Sequence, residues 1–210
     1  MEKKYISPAV IKRMPRYYRY VNDMIDGGVS RISSKALAEK MGLTASQIRQ
    51  DLNCFGGFGQ QGYGYNVESL RDEIAKILGL DREKKAIIIG VGNMGRALAK
   101  NFHFERSGVK LIAGFDLVAS TITTAIDEIS ILQIVELEQY ITVNEVDIAI
   151  ITTPKETTLE IVQTLVDHGI KGIWNFTSSD LHLQGYGIPI ENVHFSDSLR
   201  RLSYNMEKNN

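Results

Sequence analysis

The chain has one cysteine, one tryptophan and four prolines in 210 residues, and a formal net charge of only −1. A single cysteine excludes an internal disulfide framework and fits a reducing compartment. No apolar run approaches the ~20 residues of a bilayer-crossing helix, and the opening MEKKYISPAVIKRMPRYYRY holds no signal-peptide core. A cytoplasmic protein with no membrane partner is expected. Cysteine, histidine and acidic residues nowhere cluster at metal-ligand spacing, so no metal is expected. The four histidines are His103, His168, His182 and His194, and none has a lysine, tyrosine or serine at a spacing that makes a catalytic unit. His168 falls in VDHG, a helix end where the dipole favours a cation.

What is present divides unevenly. Residues 1–80 hold 12 Lys and Arg against 8 Asp and Glu, whereas 81–210 hold 12 against 17. A basic first part on an acidic body points to a polyanionic partner for the first part. The length suits one large or two modest domains.

The densest signal lies in residues 86–116, AIIIGVGNMGRALAKNFHFERSGVKLIAGFD. An apolar strand runs into Gly90-x-Gly92-x-x-Gly95, which opens a helix, and a second apolar strand ends on Asp116, 21 residues past the last glycine. Gly90 suits a tight turn, Gly92 lets backbone amides approach a pyrophosphate, and Gly95 permits close helix–strand packing. The intervening Val91, Asn93 and Met94 supply backbone to the same loop. The helix start favours phosphate, and Asp116 can accept bonds from a ribose while repelling a 2′-phosphate. Dinucleotide binding, NAD(H) over NADP(H), is expected.

The eighty residues upstream do not read as α/β. A helix is expected over 8–26, with Pro8 in its first turn, Gly27-Gly28 ending it and a kink or restart at Pro15. A second helix follows Ser33 or Ser34, with Leu37, Ala38 and Met41 on one face, and Gly42 breaks it. Thr44 can cap a third over 45–52 that buries Ile48 and Leu52. Two short helices joined by a glycine turn outline a helix-turn-helix. The polar face of the third helix offers Ser46, Gln47, Arg49, Gln50 and Asn53 to a groove, where Arg suits guanine and Gln or Asn suits adenine. Residues 55–66, FGGFGQQGYGYN, contain five glycines and four aromatics. They read as a hairpin of two short aromatic strands, the wing, with Gln60 and Gln61 near its tip and Tyr63 beyond. An amphipathic helix over 67–78 closes the domain.

This order of motifs resembles the Rex family of redox-sensing transcriptional repressors. The resemblance is carried by RISSKALAEKMGLTASQIRQDLNCFGGFGQQGYGYNV, IIIGVGNMGRAL, GFD, Thr153-Pro154, GIKGIWNF and VHFSDSLRRLSYNM, in order over nearly the whole chain. It implies an α/β protein with a winged helix-turn-helix domain (1–80), a Rossmann-like parallel-sheet domain (81–195) and a domain-swapped dimerisation helix (196–210). It also implies a homodimer on an inverted-repeat double-stranded operator. NADH, favoured over NAD⁺, rotates the N-terminal domains and releases the DNA, and genes for fermentation and NADH reoxidation are derepressed. By position, Arg16, the polar face around Arg49 and the wing Gln60 to Tyr65 match DNA-binding elements. Gly90, Gly92, Gly95 and Asp116 match the phosphate loop and ribose acid. Thr153-Pro154 match the loop passing the pyrophosphate and nicotinamide, and Asn175-Phe176 the wall of the nicotinamide pocket. The stripe Leu199, Leu202 and Met206 matches the swapped helix.

The chain departs from the family pattern at four places. Asn101 stands where a tyrosine is common, His194 where an acid is, and Gln60 and Gln61 where wing residues are often basic. A proline common after Phe176 is missing. Two other functions compete with the repressor. An NAD-dependent oxidoreductase would need a substrate domain, and only some 35 residues follow residue 175. A thiol-oxidation sensor would use Cys54, at the end of the third helix, though no basic neighbour is there to activate it.

Overall fold

Helices in the first part of the chain all begin on a residue whose side chain closes the first turn. In the computed structural model, which describes residues 6–56, 63–117, 125–126 and 129–208, the chain divides into two compact units, Met1–Arg82 and Glu83–Asn210. The first unit contains α1 (Pro8–Asp26), β1 (Arg31–Ile32), α2 (Ser34–Met41), α3 (Ala45–Asn53), β2 (Tyr65–Asn66) and α4 (Val67–Leu78). The caps are Ser7, Ser33, Thr44 and Asn66, whose side chains accept from the amides of Val10, Ala36, Gln47 and Ser69. Each bond satisfies an amide that the helix itself leaves without a partner.

α1 runs through Pro15 as one continuous helix, so the chain does not restart there. Pro15 lies on the exposed side of the helix, so the Ile11 carbonyl that loses its partner there can be hydrated. Gly42, at φ +65°, makes the left-handed stop between α2 and α3. Met14, Tyr17, Leu37, Met41, Ile48 and Leu70 form the centre of the core.

The wing differs from expectation at its base. β2 pairs antiparallel with β1, Arg31 opposite Asn66 and Ile32 opposite Tyr65. Phe55 belongs to no strand; it lies in the turn after α3, packed half-buried against the core. Among the described residues, the partner of the second wing strand is the segment between α1 and α2; the expected first wing strand around Phe58 lies outside them. Alternating aromatics and glycines gave no hint of so distant a pairing. The tip, with Gln60 and Gln61, lies outside the described residues.

The second unit contains β3 (Lys84–Ile89), α5 (Asn93–Asn101), β4 (Val109–Asp116), β5 (Ala125–Ile126), β6 (Ile129–Gln133), α6 (Leu137–Val143), β7 (Ile148–Ile151), α7 (Lys155–Asp167), β8 (Gly172–Asn175), α8 (Leu183–Tyr186), β9 (Ile190–Asn192) and α9 (Phe195–Lys208). One sheet has the order β5-β6-β4-β3-β7-β8-β9. Its pairs are parallel except β5 with β6. Ala86, Ile87, Ile88 and Ile89 of β3 are completely buried, which is why that strand is apolar on both faces. The chain winds one way from β3 to β4 and the other way to β7. A crevice therefore opens at the strand ends between β3 and β7, where ligands bind in such sheets. No residue of α9 is buried.

Candidate nucleotide and nucleic-acid sites

Gly90 ends β3 at φ +88°, and a Cβ there would lie 2.8 Å from the Thr152 carbonyl carbon and oxygen. Both the backbone angle and the approach of β7 require glycine. A Cβ on Gly95 would lie 2.0 Å from the Gly90 oxygen, so α5 sits on the loop at a distance only glycine allows. Gly92 is different. Its φ is −72° and a Cβ would meet no protein atom within 4 Å. Neither strain nor protein packing demands glycine there, and the space in front of it fits a ligand approaching the backbone.

Two helices open onto this crevice, α5 after Gly92 and α7 after Pro154, and neither has a side-chain cap. Their first-turn amides are the kind of donors a phosphate accepts from. The Asp116 carboxylate accepts from the Val91 amide at 2.6 Å, which fixes it beside the loop at the end of β4. Thr152 ties the two central strands together, its hydroxyl donating to the carbonyls of Ile89 and Gly90. The Thr153 hydroxyl lies 3.1 Å from that of Thr158, which is buried and donates to the Pro154 carbonyl at 2.8 Å. A cavity of about 320 Å³ joins Gly90, Asp116, Thr153 and Pro154 with exposed Leu117 and Val135.

Asn175, the last residue of β8, and Phe176 after it are arranged otherwise. Asn175 is fully buried and its amide is occupied inside the fold. It donates to the Ser179 carbonyl and to the Asn192 side chain, both at 2.7 Å, and accepts from the Thr177 amide at 3.0 Å. It shapes the turn that carries Phe176. Phe176 is half-buried in an aromatic row, its ring centroid 4.6 Å from Trp174 and 6.1 Å from Phe195. Phe102 and Phe104 extend the row beside an apolar groove of about 620 Å³. On α9, Phe195, Leu199, Leu202 and Met206 are all 56–64% exposed.

Of the positions departing from the family pattern, Asn101 donates back to the Ala97 carbonyl at 3.0 Å. His194 lies with Nε2 2.7 Å from an Asp180 carboxylate oxygen.

In the first unit, α3 turns Ser46, Arg49, Gln50 and Asn53 to the surface and leaves Gln47 half-buried. Arg49 donates to the Ser34 hydroxyl at 3.0 Å, so its guanidinium lies at the start of α2. Exposed Arg16 donates to the Met41 carbonyl and lies 5.7 Å from the Tyr20 ring, while Tyr63 is 71% exposed. Cys54 is half-buried, with its thiol on the Gln50 carbonyl.

Beneath α3 lies a group that sequence reasoning missed. Asp51 is 1% exposed. It accepts from Arg13 Nε at 2.6 Å and Nη2 at 2.7 Å, from the Tyr17 hydroxyl at 2.9 Å and from Gln47 Nε2 at 2.8 Å. Burial alone would raise its carboxyl, but the bonds from Arg13, Gln47 and Tyr17 outweigh that and hold it below the ordinary aspartate value. Burial, with the Asp51 bond second, pushes the Tyr17 hydroxyl well up and keeps it a donor. A signal for this was available: Ile48, Asp51 and Leu52 share one helix face, and a carboxylate inside an apolar stripe requires partners.

Comparison with known proteins agrees with this geometry. Residues 5–53 match the family described as "Putative DNA-binding protein N-terminus", and residues 81–179 match the CoA binding domain family. The redox-sensing transcriptional repressor Rex of Clostridioides difficile is 49% identical over 205 residues, 98% of this chain and 97% of that protein. A crystal structure of RSP in complex with β-NAD⁺ and operator DNA superposes with a TM-score of 0.90 at 47% identity, covering 98% of this chain and 94% of that one. RSP in complex with β-NADH superposes with a TM-score of 0.88 at 44% identity, covering 97% and 95%. Full-length identity at this level, on one shared architecture, decides between repressor and dehydrogenase: the chain belongs to the Rex family of redox-sensing transcriptional repressors.

Proposed function

We propose that this chain acts in the cytoplasm as a homodimeric repressor that holds an inverted-repeat operator and lets it go when NADH, in preference to NAD⁺, is bound. The observation that carries the nucleotide half is the crevice between β3 and β7. There two uncapped helix starts and the open space over Gly92 lie beside a carboxylate fixed on Asp116. The amides of α5 would hold the pyrophosphate, Asp116 the adenosine ribose, and Leu117 and Val135 would flank the adenine. When bound, the dinucleotide supplies a nicotinamide whose oxidation state is the signal. Thr153, Pro154 and the turn held by Asn175 would read that ring, with Asn101 near enough in the chain's order of motifs to bear on telling its two states apart, and His194 standing where the family commonly has an acid.

The DNA half rests on α3, whose exposed Ser46, Arg49, Gln50 and Asn53 carry the donors and acceptors that base edges and phosphates require. Arg16, Tyr63 and the wing residues Gln60 and Gln61 extend that set. The dimer reading is supported by the apolar groove beside Trp174 and by the exposed stripe of α9. A second copy would cover both.

A gel-shift titration of an inverted-repeat A·T-rich operator, first with NADH and then with NAD⁺, tests the whole reading. Release at a lower concentration of NADH than of NAD⁺ is expected, and operator must weaken NADH binding by the same factor. Equal release by the two would make the protein a sensor of total nucleotide. No release at saturation by either would end the allosteric reading.

A further inference from the structure

Among the groove-facing side chains of α3, Gln47 alone is bonded to a buried charge among the described residues. Its Nε2 donates to Asp51 Oδ1 at 2.8 Å, one helical turn on. The carboxylate is itself locked from α1, by two bonds from Arg13 and one from Tyr17. A carboxylate only accepts, so the amide has one permitted orientation. Turned over, its carbonyl oxygen would face the Asp51 oxygen at hydrogen-bond distance with no proton between them. A free glutamine flips between two faces and offers either pattern. This one keeps Oε1 and a single remaining N–H for anything outside. Gln47 is the third residue of α3, in the first turn, where recognition helices reach base edges. One acceptor beside one donor is the pattern that adenine answers with its N6 amino group and N7.

We propose that Gln47 reads an adenine in each operator half-site, and that Asp51, held by Arg13 and Tyr17, is the positioning residue that fixes the side of the amide it presents. This rests on the reading of α3 as the DNA-recognition helix. It assigns the buried network a part in choosing sequence as well as in holding the fold. Arg49 contrasts with it: its partner is the Ser34 hydroxyl, which can donate as well as accept and does not dictate orientation.

The test uses the full-length protein and an inverted repeat that it selects from a randomised library. Every base pair of one half-site is then replaced in turn, and affinities are measured by fluorescence anisotropy. Gln47→Ala is expected to lose about tenfold to a hundredfold of discrimination at one A·T pair and to keep the remaining preferences. Asp51→Asn is expected to lose discrimination at that same pair, and the double variant to lose no more there than either single one. Replacing that adenine with 7-deazaadenine should weaken the wild type and leave both variants unmoved. A uniform loss across all positions in Asp51→Asn, with preference at the Gln47 pair intact, would reduce Asp51 to a structural role and overturn the proposal.

Should Asp51→Asn fail to fold, the wild-type side-chain amide spectrum decides. A Gln47 amide proton displaced downfield and slow to exchange supports the bond to Asp51. One with the shift and exchange of a solvent glutamine overturns it. Selection of a clear operator with no pair dependent on Gln47 overturns this inference and leaves the repressor reading standing. Failure of the wild type to select any sequence brings down both.

Discussion

In the N-terminal unit the first turns of α1 to α4 are closed by Ser7, Ser33, Thr44 and Asn66, whereas α5 and α7 in the second unit begin on Gly92 and Pro154 with no capping side chain. The first unit closes these helix starts with its own side chains, and its proposed DNA contacts are side chains on the surface of α3. The proposed nucleotide site in the second unit relies on backbone instead, on first-turn amides that no side chain caps. Changes at the nucleotide site should therefore disturb binding and fold together wherever glycine packs against protein. Changes on the outer face of α3 should disturb binding alone.

The largest expected effect belongs to Gly95→Val. With a Cβ 2.0 Å from the Gly90 oxygen, α5 must move off the loop. Loss of measurable NADH binding by fluorescence is expected, together with about 3 kcal/mol of stability in denaturant unfolding. Native-like stability in this variant would show the two aspects to be separable there. Next comes Asp51→Ala, which strands Arg13 and Tyr17. A loss of about 2–3 kcal/mol is expected, below the usual cost of breaking a buried pair because the Arg13 side chain keeps 28% of its exposure. The same group carries a pH signature. Its folded carboxyl titrates below its unfolded value, so its contribution is complete above pH ~4 and is lost as pH falls through the lower folded value. Acid unfolding of the full chain monitored by circular dichroism should show this component, and Asp51→Asn should lack it.

Gly92→Ala sharpens the comparison, because its Cβ meets nothing in the protein. Thermal unfolding of the free protein should be unchanged, while NADH affinity falls roughly tenfold, about 1.4 kcal/mol. A large drop in stability would mean that Gly92 serves packing after all. The smallest effect on the fold is expected from Arg49→Ala: under about 0.5 kcal/mol in stability, with operator binding weaker by about 1–3 kcal/mol if Arg49 meets a base edge. A loss equal on all sequences, with a salt slope reduced by about one, would make Arg49 a phosphate contact.

Local rules made much of this legible from sequence. Helix starts at Ser33 and Thr44, the stop at Gly42 and the turn at Gly90 each follow from one residue and its immediate neighbours. Partnerships across distance were not legible in the same way. β1 pairs with β2 across 35 positions from Arg31 to Asn66 and 33 from Ile32 to Tyr65, and two-residue strands leave too short a pattern to announce themselves. The family resemblance assigns Asn175 to the nicotinamide pocket, and neither its type nor its position reveals that Ser179, Asn192 and Thr177 surround its amide. Thr152 carries no signal of its own in the sequence, because a threonine whose hydroxyl turns onto the carbonyls at the end of the neighbouring strand reads like any other residue after a strand.

The packing of α4 against α1 sets an order of events during synthesis. The DNA-reading unit needs its last helix to cover its first, so its core closes once Leu78 has left the ribosome. Translation at about 5–20 residues per second then takes roughly ten seconds to deliver the nucleotide-sensing sheet. A nascent chain thus acquires its DNA-reading unit first and its nucleotide-sensing sheet second. In the proposed dimer, α9 follows both in the chain, so a copy not yet paired would engage only half of the proposed two-fold operator.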